Sequence, residues 1–174
     1  MVSEDIRGQV LSYLQGQAAK LSYSELADRV ETALDDLEGL LRPMSDEQAR
    51  FSAGPDEWSS REVAGHVAMY APSVSQLIGL LDSGEDGAYY REQGMPPERP
   101  SGEHEPLAAL AVARDELEGL RRRFADRDPN TEKTFPHPFF GELNAREWTL
   151  FLRVHAIDHT NQVKANVAHA DYPA

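Results

Sequence analysis

The run "WSSREVAGHVAMYAPSVSQLIGLL", Trp58 to Leu81, constrains the fold more than any other stretch of the chain. Apolar side chains recur along it at steps of three and four: Val63, Val67, Tyr70, Val74, Leu77, Ile78 and Leu81. That period belongs to an α-helix buried along one stripe. Ser59 and Glu62 stand at its start with the spacing of a capping box, in which two side chains take up otherwise orphaned backbone N–H groups. Pro72 predicts a kink rather than a stop, because the stripe resumes in register beyond it. The stripe has one polar occupant. It is His66.

Other segments share the period. "LSYSELADRVETALDDLEGLLRP" sets Leu26, Val30, Ala33, Leu34, Leu37, Leu40 and Leu41 on one side, opens on the Ser22/Glu25 pair and ends at Pro43. Leu107 to Phe124 repeats the pattern, and a last helix runs from the cap-like pair Asn144/Glu147 to about Ala168. Ile6, Val10, Tyr13 and Leu14 predict a weaker amphipathic helix at the N-terminus. "SDEQARF" reads as a helical turn and "ADRDPNTEKTFPHPFFGEL" as a loop; no strand is predicted. The expectation is an all-α fold, a four-helix bundle over residues 23–168 with an extra N-terminal helix at residues 1–20, in one domain spanning 1–174. "DSGEDGAYYREQGMPPERPSGEHE" separates the second and third core helices. A helix of this size is about 33 Å long, and an extended link of that length could return along it, leaving the two helices parallel.

Charge narrows the function classes. Thirty Asp+Glu against 17 Lys+Arg give a net charge of −13, which leaves little to displace counterions from a nucleic acid. The basic cluster "LRRRF" lies among acidic residues in a helical pattern, as a solvated ion-paired face does. No segment approaches the roughly 18 consecutive apolar residues of a membrane span. The start "MVSEDIRGQV" has neither a basic n-region nor an apolar h-region, so a cytoplasmic location is expected. Cysteine is absent, which excludes disulfides, thiolate metal ligands and a thiol nucleophile carried by the chain.

The last helix contains "VHAIDHTNQ", in which His155 and His159 are one turn apart on the side that also carries Trp148, Phe151, Leu152 and Val163. A buried imidazole has a donor and an acceptor to satisfy, and each one left unmet costs about 1–3 kcal/mol. Two such rings, with His66 on another core helix, admit two readings. They are hydrogen-bonded core histidines, or they hold a divalent metal through three neutral rings with a coordination position left open, as catalytic rather than structural zinc sites do.

"DEWSSREVAGHV", "HPFFGELNAREW" and "VHAIDHTNQV" together resemble the signature segments of the DinB/YfiT-like superfamily of metalloenzymes, over about Tyr23 to Ala168. The resemblance implies a four-helix bundle with an up-down-down-up arrangement. It also implies a zinc or nickel ion held by one His of the second core helix and an HxxxH pair of the fourth, here His66, His155 and His159. Some members of that superfamily are transferases using low-molecular-weight thiols. The expected function is therefore a metal-dependent enzyme acting on a small molecule, a thiol transferase in the first instance. A metal-dependent hydrolase and a non-catalytic metal-binding stress or sensor protein are the alternatives, and a homodimer through helix faces is compatible with each.

Several residues remain as candidates around such a site. Tyr70 follows His66 by one turn, Asp158 precedes a ligand, and Gln162 and Asn166 continue the ligand face; Tyr70, Asp158 and Gln162 are the candidates for direct participation. Glu62 reads as a cap rather than a base, and His137 in "HPFFG" as a turn and packing residue. His104 and His169 are expected in solvent. The long link, residues 82–105, and "HPFFG" are the expected walls of the pocket.

Overall fold

The computed structural model describes residues 4–88, 99–100 and 102–174. It contains helices α1 (Glu4–Ala18), α2 (Tyr23–Leu41), α3 (Asp46–Arg50), α4 (Ser60–Asp82), α5 (Pro106–Arg123) and α6 (Ala145–Val167). Local chemistry sets most of the helix starts. The pairs Ser22/Glu25, Ser45/Gln48, Ser59/Glu62 and Asn144/Glu147 each form a complete capping box at the head of α2, α3, α4 and α6. Pro106 opens α5 at a position where its missing N–H costs nothing. Pro72 lies within α4, which continues through it.

Helices α2, α4, α5 and α6 form the four-helix bundle, and the side-chain contacts fix its directions. Arg61 meets Glu105 at the heads of α4 and α5, while Arg123 at the foot of α5 meets Asp82 at the foot of α4, so these helices run parallel. Arg114 pairs with Asp35 and Glu38, and Arg121 with Asp28 and Glu31, so α2 opposes α5. The Tyr23 hydroxyl lies 3.1 Å from Thr149 Oγ1 near the heads of α2 and α6, and Tyr70 packs on Phe151 while His66 packs on His159. Thus α6 runs with α2 and against α4. The order is up-down-down-up, and the long link between α4 and α5 is the crossover that it requires. Residues 89–98 and 101 of that link lie outside the described residues.

Two apolar clusters fill the bundle. One gathers Val30, Leu34, Leu37, Val63, Val67, Leu110, Leu117 and Val163; the other gathers Leu26, Val74, Leu77, Ile78, Leu81, Trp148, Leu150 and Phe151. Helix α1 packs on α6 through buried Leu14, and Arg146 anchors its end by donating to the carbonyls of Ala18 and Leu21. No helix among the described residues is long and apolar enough to cross a membrane.

The expectation of no strand is overturned. Thr134–His137 (β1) and Gly141–Asn144 (β2) pair antiparallel, with Phe135 opposite Leu143 and Pro136 opposite Glu142. Four-residue strands carry too few alternations for a period to be read, and Pro136 within the first argues locally against one. The turn needs a positive φ, supplied by Gly141 at +77°. Trp148 donates to the Phe135 carbonyl at 3.2 Å, which ties the hairpin to α6.

The foot of α4 holds a buried charge. The Asp82 side chain is 3% exposed and accepts from Arg127 at 2.7 Å, from Arg123 at 3.0 Å and from the Asn130 backbone N–H at 3.0 Å. These partners hold its carboxyl well below the usual carboxylate range, against a burial effect that acts the other way. Gly79 makes room for the knot: Arg123 donates to its carbonyl, and a Cβ there would stand 2.8 Å from the guanidinium.

Candidate metal centre

His66 projects from α4, one turn before Tyr70, and His155 and His159 project from one face of α6. The antiparallel packing of α4 and α6 brings the three rings edge to edge. His155 Nε2 lies 3.0 Å from His66 Nε2 and 3.0 Å from His159 Nε2, and one nitrogen from each ring falls within 4.8 Å of the other two. His66 and His159 are buried and His155 is partly buried. The floor beneath them is apolar: Val30, Leu34, Val67, Ala71 and Leu117 bound a void of about 20 Å³ that reaches His155.

The proton inventory shows why this arrangement suits a cation. Gln162 Oε1 lies 3.2 Å from His159 Nδ1, and an amide oxygen can only accept, so the His159 proton sits on Nδ1 and its Nε2 presents a bare lone pair. His155 Nε2 carries at most one proton and faces two nitrogens. At least one of those short contacts therefore lacks a shared proton or sets lone pair against lone pair, unless a ring becomes charged. Burial opposes charging: it holds His159 down at about 4, and burial together with the neighbouring His159, His66 and His137 holds His155 well below the usual imidazole range. Three converging ring nitrogens with too few protons for both short contacts make a donor set that a cation would complete. Tetrahedral ligation at about 2.0–2.1 Å would place nitrogens about 3.3 Å apart, close to the spacing seen here. The donor set fits zinc or nickel, and Gln162 supplies the outer hydrogen bond that metal-bound imidazoles ordinarily make.

Aromatic rings wall the group. Tyr70 stacks on His155 at 4.5 Å and lies 5.4 Å from His66; burial pushes its hydroxyl up to about 12, so it remains protonated. Trp58 lies parallel to His159 at 5.9 Å and packs on His66 at 5.0 Å. Its carbonyl accepts from the buried Asn166 amide at 2.7 Å, which holds the loop, and with it the indole, against the site. Phe151 borders His155 at 5.6 Å.

The candidates therefore separate. Tyr70 and Gln162 meet the histidine group, and Asn166 reaches it through Trp58. Asp158 is exposed and makes no hydrogen bond to the rings; the surrounding protein raises its carboxyl without bringing it into the site. Glu62 is a cap, as its spacing predicts, and pairs with Arg99. His137 is buried in the hairpin and accepts from the Phe139 backbone N–H at 3.1 Å, a turn-forming contact. His104 is exposed but packs on Gly65, and His169 packs on Phe51. Trp58 was not foreseen as a wall. Its position just before the Ser59 cap, on the edge of the His66 helix, was the available signal.

Comparison with known proteins agrees with the bundle fold. An uncharacterized protein of Bacillus subtilis (strain 168), YuaE, is 26% identical over 141 residues, covering 71% of this chain and 86% of that protein. The crystal structure of TT2238, a four-helix bundle protein, superposes with a TM-score of 0.60 at 28% identity, covering 83% of this chain and 99% of the other. A model of the DinB superfamily matches residues 29–163, which run from within α2 past both histidines of the HxxxH pair and leave α1 outside. The chain belongs to the DinB superfamily.

Proposed function

We propose that this protein is a cytoplasmic metal-dependent enzyme that binds zinc or nickel through His66, His155 and His159 and transfers a group to or from a low-molecular-weight thiol. The observation that carries the reading is the convergence of three imidazole Nε2 atoms through two 3.0 Å contacts, with the His159 proton held on the far side of its ring by Gln162. A divalent ion with an open position would supply Lewis acidity that favours the thiolate form of a bound thiol near neutral pH. The residues do the rest. Tyr70 and Trp58 exclude water and offer flat apolar walls; Gln162 and Asn166 hold the ligand ring and the indole in place. A chain without cysteine would draw its thiol from outside.

Thiol transfer is favoured over hydrolysis by where the carboxylates go. Attack by water needs a base beside the metal. Glu62 is committed to the Ser59 cap and to Arg99, and Asp158 is exposed. The test is elemental analysis of protein purified without a His-tag, wild type beside His155→Ala. About one zinc or nickel per chain, lost in the variant, is expected for a three-His centre. Wild type free of metal after reconstitution would overturn the reading. Loaded protein should then consume an electrophile only when a small thiol is present.

A further inference from the structure

The void that reaches His155 has walls of a different kind from the aromatic rings around the histidine group. Val30 and Leu34 come from α2, Ala113 and Leu117 from α5, and Ala71 and Ala156 from the two helices that carry the histidines, one residue beyond Tyr70 and His155. All six are buried. Among the described residues His155 is the one polar side chain on these walls, and its Nε2 is already turned to His66 and His159. A water needs about two to four polar partners, so this volume of about 20 Å³ suits an apolar group of about methyl size rather than a water.

Its position makes it more than a packing flaw. Protein interiors keep few voids larger than a water molecule, and each costs stability in proportion to its volume. This one persists where alanine stands at three of its walls, on three different helices, and it opens against a ring of the histidine group. It does not lie at a frayed end of the bundle. Arg121 pairs with Asp28 before Val30, and Arg114 pairs with Asp35 and Glu38 after Leu34, so ion pairs bracket it along the seam between α2 and α5. Neither of those helices carries one of the three histidines, so their side chains shape the void without placing a ring.

We infer that this void receives the short unbranched aliphatic group of a small molecule held at the histidine group, and that Val30 and Ala113 set how long that group can be. With the metal and thiol reading above, on which this rests, the substrate class narrows to a thiol carrying a short straight aliphatic chain next to its sulfur. The four core helices then divide the work: α4 and α6 hold the reacting end, and α2 and α5 measure the apolar one.

The test uses straight-chain alkanethiols, from methanethiol to 1-butanethiol, on cobalt-loaded full-length protein, with binding read from the sulfur-to-cobalt charge-transfer absorption. These thiols differ in length far more than in sulfur chemistry. In wild type, affinity should rise about fourfold for each added carbon that enters the void and then level off. Val30→Ile and Ala113→Val, which add carbon to the walls, should end the rise about one carbon sooner. Val30→Ala should prolong it by about one carbon or more. Cobalt content should be the same in all three variants, because the three rings project from α4 and α6. A flat series in wild type, or a levelling point that none of the variants moves, would overturn the inference while leaving the metal reading intact. No charge-transfer band with any of the thiols would overturn the metal and thiol reading itself, and this inference with it. The two Val30 variants decide the matter even where Ala113→Val fails to fold, since Val30→Ile adds a single methylene.

Discussion

Helix α4 buries a polar side chain near each end, and the two are treated in opposite ways. At its foot Asp82 is met by Arg123, Arg127 and a backbone N–H, so every demand of the buried charge is answered from within the chain. Toward its head His66 meets His155, which in turn meets His159, nitrogen against nitrogen, and the two contacts share too few protons for both to be hydrogen bonds between neutral rings. The same helix thus shows a closed electrostatic knot and an open one. A buried group is a structural device when its partners are complete and a binding site when they converge and remain incomplete.

The sharpest way to break this contrast is at the open end. His155→Ala should abolish stoichiometric metal binding. Wild type should gain about 2.7 kcal/mol from metal at a hundredfold excess over Kd, and the variant nothing, as read by thermal melts with and without chelator. At the closed end the response should be indifferent to metal. Asp82→Ala should cost about 2–3 kcal/mol in denaturant melts, because it leaves two arginines and an N–H facing an emptied site, and chelator should not alter that cost.

The closed end should also carry its own pH signature. Its carboxyl titrates lower in the folded protein than the unfolded value of about 3.9, so its contribution is complete above that value and is lost as pH falls through the folded one. The stability gap between wild type and Asp82→Asn should therefore be constant near neutrality and shrink below about pH 4. A gap that stayed constant into acid would show that the carboxylate charge is not what holds the knot. The smallest effect belongs to Gln162→Ala, which touches the open end at one remove: metal affinity should fall about tenfold while the melting behaviour of the chelated protein stays within about 0.5 kcal/mol of wild type.

Much of this was legible in the residues, for reasons that differ by element. The core helices announce themselves because capping pairs and long apolar stripes are local, repeated signals. The three histidines stand out because they break such stripes at known helical phases. The hairpin was illegible: two four-residue strands offer no period, and Phe139 and Phe140 at its turn look like core residues although Phe139 is exposed. Asp158 and Gln162 could not be ranked beforehand. Both neighbour His159 along the helix, and only the side-chain directions separate the exposed carboxylate from the amide that meets His159 Nδ1.

The capping boxes at the heads of α4 and α6 act as the zero marks of two rulers. Ser59 stands two helical turns ahead of His66, and Asn144 stands three turns ahead of His155, so each histidine's height and azimuth are set by counting from a fixed origin within its own helix. A single residue inserted between origin and histidine would swing the imidazole by about 100°, away from the other two rings. The same insertion in the crossover would leave both rulers untouched. Length change that leaves the three-histidine group in place is thereby confined to the crossover and the hairpin turn, outside both rulers.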